Sequence, residues 1–346
     1  MTQTDDIKVT SQTLYRKYRP QTFDDVLGQN EVITVLQNSI TNKSISHSYL
    51  FSGTRGTGKT SIARIFAKEL GTSDQDIYEI DAASNTGVDN IRDLRDGVAT
   101  RPFNSDYKVY IIDEVHMLSK NAFNALLKTL EEPPSHVLFI LATTEKHKVL
   151  DTIISRCQVF DFKSPGKELL LELINITCKK EKRTIDQESA GYIASLGNGS
   201  FRDTLSHLQK VFSYIPGDIT IAELSEKLQI SDKDMVADFV NALGENDTDK
   251  LFAVYHQFKD PGIDIVVQVE QIVNLLRKIL LVRYSSSYKE HLLVTTPKDE
   301  IMSLQEHKTI TSKHLKDMLS LQIHIEQHPN PHALFEVFLF ELADKE

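Results

Sequence analysis

The chain has 346 residues, of which 40% are hydrophobic and 25% charged, and its formal net charge is −10. That length leaves room for two or three domains with sizeable cores, and the composition excludes a disordered or fibrous chain. The 2 cysteines, Cys157 and Cys178, stand in no metal-ligand spacing, so neither a disulfide scaffold nor a zinc site is expected.

The charge is unevenly spread. Residues 1–165 hold 19 Lys and Arg against 21 Asp and Glu, a net of −2, and the rest of the chain carries the other −8. The first part is near neutral and has room for a local basic face, so acidity alone excludes no nucleic-acid partner. Residues 1–13 read as a polar tail containing Asp5 and Asp6, not as a signal peptide. The most apolar later stretch, Ile263 to Tyr284, includes Asp264, Glu270, Arg277, Lys278 and Arg283. It reads as a buried or amphipathic helix, not a membrane span.

Leu14 to Pro20 reads Leu-Tyr-Arg-Lys-Tyr-Arg-Pro, and Pro20 disfavours a helix there. Asn30 is a plausible N-cap for a helix through Ile40, with Val32, Val35, Leu36 and Ile40 on one face. His47 to Phe51 reads as a short buried strand. It leads into Gly53-Thr54-Arg55-Gly56-Thr57-Gly58-Lys59-Thr60, the spacing G-x-x-x-x-G-K-[ST] of a phosphate-binding loop. The glycines let the backbone turn so that successive N–H groups face phosphate oxygens. Lys59 places a positive charge near the β and γ phosphates, and the Thr60 hydroxyl suits Mg²⁺. Ser61 to Lys68 reads as the following helix, whose N-terminus favours an anion.

Ile77 to Asp81 alternates like a strand, and a helix is expected over about Val88 to Val98. Lys108 to Glu114 is an apolar run ending in two acids, as in a strand covered on both faces. Ligands gather at the C-terminal edge of such sheets. Asp113 is placed to orient Mg²⁺, and Glu114 to position or deprotonate an attacking water. Asn121 to Glu132 reads as a helix stopped by Pro133 and Pro134. Val137 to Ala142 is a buried strand ending at Thr143 and Thr144, and Gln158 to Phe162 is a last one. This alternation predicts an α/β domain with a parallel sheet.

Ser164-Pro165-Gly166 marks a boundary. Lys167 to Glu181, Ser189 to Ser195 and Arg202 to Ser213 read as helices of a small domain closing near Pro216-Gly217. From Ile221 onward apolar residues recur at helical spacing, as in Val236, Phe239 and Val240, in Ile265, Val269 and Ile272, and in Leu334, Phe335, Phe338 and Leu339. The expected division is therefore a tail over 1–13, a nucleotide-binding domain over 14–164, a helical lid over 165–217 and an all-α domain over 218–346.

The loop GTRGTGKT, then IIDEVHMLS, LLKTLEEPP, LATT, SRC and GSFRD occur in that order. Together they resemble the AAA+ ATPases of the clamp-loader group. LYRKYRPQTFDDVLGQ and EIDAASNTGVDNIRDL bring the chain closest to the tau/gamma subunit family of bacterial DNA polymerase III. The resemblance is dense from Leu14 to about Val211. It implies an AAA+ P-loop fold with a lid and an oligomerising helical collar. It also implies a cytoplasmic ATPase that uses ATP and Mg²⁺ to load a sliding clamp onto primer-template DNA in replication. An alternative is a subunit of another AAA+ DNA-remodelling or clamp-loading complex.

The resemblance implies roles at matching positions. Thr143 or Thr144 is the polar sensor of the γ phosphate or attacking water, with Thr144 favoured. Arg156 is the arginine finger, reaching a neighbouring subunit's ATP and stabilising charge on the transferring group. Arg202 is the second sensor, touching the γ phosphate of its own subunit. Tyr15, Arg16, Tyr18 and Pro20 pack near the adenine. Implied partners are subunits of delta and delta-prime type, further copies of the chain, the clamp, and DNA held by its phosphates, with no membrane. Thr86, Gly87, Arg92 and Lys128 are candidate DNA contacts. Family members commonly carry a four-cysteine zinc module before the EIDAAS strand. Here only Gly71 to Asp76 joins the elements, so no zinc is expected.

Overall fold

Alternate residues of a strand point to opposite faces of its sheet, so a strand apolar at every position is covered on both sides. The computed structural model shows this arrangement. It describes residues 12–84, 97–228, 233–259, 264–286, 288, 307–325 and 327–344. The strands are β1 (Ser48–Ser52), β2 (Ile77–Asp81), β3 (Lys108–Asp113), β4 (Val137–Thr143) and β5 (Gln158–Asp161), in one sheet of order β2-β3-β4-β1-β5. Every pairing is parallel. Tyr49, Phe51, Val109, Ile111, Leu138 and Ile140 join the core on one face. Their strand neighbours Leu50, Tyr110, Ile112, Phe139 and Leu141 join the core on the other.

Helices α2 (Asn30–Thr41), α3 (Lys59–Glu69), α4 (Lys120–Glu131) and α5 (Asp151–Ile154) flank the sheet, and α1 (Leu14–Lys17), which precedes them, packs on the helix Phe201–Tyr214. Two local expectations are corrected. The Leu14 stretch makes one helical turn, because it ends before the residues that Pro20 constrains. The N-cap of α2 is Gln29, held at φ 57, and Asn30 is already inside the helix. Gln29 is fixed there by its own side chain, whose Nε2 donates to Lys163 O at 2.7 Å. The helix expected over Val88 to Val98 falls largely outside the described residues.

The short link before β2 is held by a buried carboxylate. Asp76 is fully buried and accepts the backbone N–H groups of Phe103 at 2.6 Å and Asn104 at 3.0 Å. Burial alone pushes its pKa up, but these amides, with Ser105 and Ser73, hold it down to about 2. A carboxyl lowered on folding stabilises the fold above its unfolded value near 4, and that stability is lost as pH falls from about 4 towards 2. Asp76→Asn turns an NH₂ towards one of these amides and is expected to cost about 2 kcal/mol at pH 7. Urea unfolding of both proteins between pH 2 and 7 checks this. The difference should shrink as the pH approaches 2; a constant difference would assign the loss to packing instead.

After β5 come α6 (Lys167–Lys180), α7 (Gln187–Leu196) and α8 (Phe201–Tyr214). Asp186 caps α7 and Ser200 caps α8, each accepting a backbone N–H from three residues on. The chain divides into two units, Met1–Thr220 and Ile221–Glu346, so these three helices belong with the sheet.

The second unit is built from α9 (Ile221–Leu228), α10 (Lys233–Glu245), α11 (Thr248–Phe258), α12 (Ile265–Tyr284), α13 (Ser312–Ile325) and α14 (Pro331–Ala343). Phe239, Phe258 and Phe335 pack at its centre, their rings tilted or edge-on to one another, with Val269, Ile272, Leu276 and Ile279 of α12. Asp264 caps α12 through the N–H of Val266. Among the described residues, no helix is long and apolar enough to cross a membrane.

Candidate nucleotide-binding site

The loop between β1 and α3 follows a strand with a neighbour on either side, and its glycines have structural reasons. Gly53 has φ +150, and a Cβ there would stand 2.5 Å from Phe162 O. Gly56 has φ +74, and a Cβ there would stand 1.9 Å from Ser200 Oγ. Both conformations are ones that L residues rarely adopt, so the loop needs glycine for its turn and for its close neighbours. The Phe201 N–H, at the start of α8, donates to Gly56 O at 3.0 Å. Helix α8 is thereby tied to the phosphate loop within one unit. Thr54 Oγ1 lies 2.7 Å from Ser164 Oγ, Thr57 Oγ1 donates to Thr54 O, and Arg55 is exposed.

Lys59 is 6% exposed. Its Nζ donates to Gly53 O at 2.7 Å and Thr54 O at 2.8 Å, so the loop curls around the ammonium. Burial pushes its pKa down, while Glu114 and Asp113 push it up. Thr60 Oγ1 donates to Asp113 Oδ2 at 2.7 Å. Asp113 Oδ1 accepts the N–H of Glu114 at 2.9 Å. Glu114 then leaves the strand at φ 48. A left-handed glutamate costs on the order of 1 kcal/mol and persists where its surroundings over-determine it.

Those surroundings are the end of β4. Glu114 Oε2 accepts Thr144 Oγ1 at 2.9 Å and the Thr144 N–H at 3.3 Å. Thr143 faces another way. It is fully buried, pairs in register with Ser52 of β1, and its Oγ1 lies 2.9 Å from His116 Nδ1. The two threonines are therefore distinguished by partner: Thr144 touches the acid and Thr143 the histidine. The sheet order explains why these groups meet, since β4 lies between β1 and β3 and their C-terminal ends are adjacent.

The Tyr-Arg-Pro stretch is divided. The Arg202 guanidinium sits 4.8 Å from the centre of the Tyr15 ring, joining the lid to α1. Tyr18 points elsewhere, donating to Glu181 Oε1 at 2.6 Å. Arg16 is exposed and Pro20 half-buried. Two residues of the site were missed in the sequence. Arg19 Nε donates to Ser61 Oγ at 3.1 Å in the first turn of α3, and burial pushes its pKa down. His116 is the other. For each the sole signal was its place beside a motif.

Arg156 stands apart. Its guanidinium donates to Glu131 Oε1 at 2.6 Å and Thr152 O at 2.6 Å, and none of its described contacts reaches the loop of its own chain. The Ser48 hydroxyl holds its backbone by donating to Arg156 O at 2.6 Å. Among the DNA-contact candidates, Thr86, Gly87 and Arg92 lie outside the described residues. Lys128 is on α4, with its side chain outside the described set.

The family model for the DNA polymerase III delta subunit matches residues 28–87 and 72–166. The model for domain III of the DNA polymerase III gamma and tau subunits matches residues 219–345. The chain is 51% identical to DNA polymerase III subunit tau of Bacillus subtilis over 233 residues, covering 61% of this chain and 41% of that one. It is 40% identical to subunit tau of Escherichia coli over 295 residues, covering 79% and 46%. It thus spans less than half the length of those two relatives. With subunit gamma of Buchnera aphidicola from Acyrthosiphon pisum the identity is 34%, covering 87% of this chain and 89% of the relative. Among solved structures, the Thermotoga maritima RuvB branch migration motor aligns with a TM-score of 0.52 at 19% identity, over 66% of this chain and 80% of that one. At that identity the likeness concerns the fold alone, a parallel sheet flanked by helices. By these sequence matches, the chain belongs to the gamma/tau subunit family of DNA polymerase III.

Proposed function

We propose that the chain is the ATP-hydrolysing subunit of a cytoplasmic DNA polymerase III clamp loader, coupling ATP binding and hydrolysis to placement of a sliding clamp on primer-template DNA. The observation that carries this reading is the meeting of Thr60 with Asp113 and of Thr144 with Glu114 beside the Lys59 loop. A hydroxyl and a carboxylate side by side are hard oxygen donors that fit Mg²⁺, so Thr60 and Asp113 would hold it. Bound there, the ion would neutralise charge on the phosphates.

The chain's own residues divide the remaining work. The loop N–H groups and Lys59 cradle the phosphates. Glu114 orients the attacking water and takes its proton, with Thr144 steering the carboxylate. Tyr15 and Arg202 close over the nucleotide from α1 and the lid. The Phe201-to-Gly56 hydrogen bond gives the lid a direct mechanical link to the phosphate loop. Arg156, turned away from its own loop, serves the ATP of a neighbouring subunit. The partners are subunits of delta and delta-prime type, further copies of this chain, the clamp, and DNA contacted through phosphates. The second unit is the oligomerising collar.

ATPase rates test this reading, measured for the chain alone and then with its partner subunits, clamp and primed DNA. Stimulation by clamp and primed DNA together is expected. ATP hydrolysis that ignores both would overturn the clamp-loader assignment while leaving the nucleotide site intact.

A further inference from the structure

We infer that His116 is a positioning residue for hydrolysis, hydrogen-bonding Thr143 at the end of β4 and setting its ring against one oxygen of Glu114, so that the other is left for water. The inference rests on the ATPase reading above and assigns a role to a side chain that reading does not use. His116 lies on the turn Val115–Met117 immediately after the acid pair, and its side chain is 6% exposed. Buried imidazoles need partners, and this one has three polar neighbours. Nδ1 is 2.9 Å from Thr143 Oγ1 and 3.4 Å from Glu114 Oε2. Nε2 is 3.4 Å from Glu145 Oε1. Thr143 Oγ1 is itself fixed by the N–H of Glu145 at 3.0 Å.

The geometry around Glu114 is one-sided. Oε2 meets His116 Nδ1, Thr144 Oγ1 and the Thr144 N–H, whereas Oε1 has no described partner. A carboxylate held by one oxygen presents the other in a fixed direction, as a base that must meet a water requires. The backbone adds a reason for support. Glu114 stands at φ 48, and its turn is closed by the Met117 N–H donating to Glu114 O at 2.8 Å. The ring behind it joins that strained turn to β4. Any shift of the β4 end is therefore passed to Glu114 through Thr144 and through His116 with Thr143.

The test uses His116→Ala, His116→Asn and His116→Gln in the complex with co-purifying subunits. Nucleotide affinity, kcat, KM and thermal midpoint are measured for each. His116→Ala should lower kcat about ten- to a hundredfold through loss of orientation, with nucleotide affinity unchanged. His116→Asn places an amide where Nδ1 stands and should restore most of kcat. His116→Gln reaches instead towards the Nε2 side and Glu145, and should not. Unchanged kcat in His116→Ala would overturn the inference. So would loss of affinity and thermal midpoint in step with kcat, unrescued by asparagine, since the ring would then be structural. Basal turnover is recorded alongside stimulated turnover. A wild-type complex that hydrolyses ATP without stimulation refutes the clamp-loader reading alone, and the comparison among the His116 variants is then decided on the basal rate.

Discussion

Replacing Arg156 with alanine is expected to lower clamp- and DNA-stimulated hydrolysis by about 10³- to 10⁵-fold, with nucleotide affinity unchanged. The Arg156 side chain is 35% exposed, engaged by Glu131 and the Thr152 carbonyl, and makes no described contact with its own phosphate loop. An exposed ion pair of this kind stabilises little, about 0–1 kcal/mol, so truncation should leave the fold intact. On the proposed reading, Glu131 holds the side chain until a neighbouring subunit's phosphate displaces it. Arg156→Lys should recover only part of the rate, because a point charge cannot reproduce the planar donor pair. Equilibrium titration with a fluorescent ATP analogue and stimulated turnover, measured on the same preparation, separate the cases. Weakened nucleotide binding in Arg156→Ala would mean that the side chain acts in its own subunit.

The second large effect concerns Lys59. Lys59→Ala is expected to weaken ATP binding by about a hundredfold or more, as two charge-assisted contacts of about 1.5 kcal/mol each are lost. Its Nζ now bonds the Gly53 and Thr54 carbonyls, which lie in the loop itself. Phosphate oxygens would exchange for those carbonyls, a stronger partner for a buried ammonium. Calorimetric titration with ATP reads the loss. Unaltered affinity would show that the loop does not hold phosphate. A collapse in affinity accompanied by unfolding would instead show that the lysine holds the loop together, which a circular dichroism melt distinguishes.

The elements were legible because their signals are local. The five strands of the sheet are runs of four to seven residues that are apolar or alternating, and the helices carry three- and four-residue spacing with caps at Ser119, Asp186 and Ser200. The phosphate loop is a motif of fixed spacing within one turn. What escaped was short or set from a distance. The turn at Leu14–Lys17 is too brief for a period to show. Gln29 became the cap of α2 because its amide found Lys163, 134 residues away. Arg19 and His116 carry no pattern of their own. Each acquires its place from a partner brought by the sheet, Ser61 for one and Thr143 for the other.

The order of residues along the chain sets the kinds of group available: a glycine loop with Lys59 and Thr60, an acid pair at a strand end, a threonine pair at the next, then Arg156 and Arg202. Tertiary structure decided which of them meet. Thr60 and Asp113 are 53 residues apart in the chain yet 2.7 Å apart in space, and Glu114 and Thr144 are 30 apart yet within 2.9 Å. Those meetings follow from strand order, since β4 inserts between β1 and β3. Register then fixes Thr143 in the core beside Ser52, and the chain leaves the strand at Thr144, whose hydroxyl and N–H meet the acid. No local pattern encodes that choice between two adjacent, identical residues. It arises only when the edges of three strands are closed into one sheet.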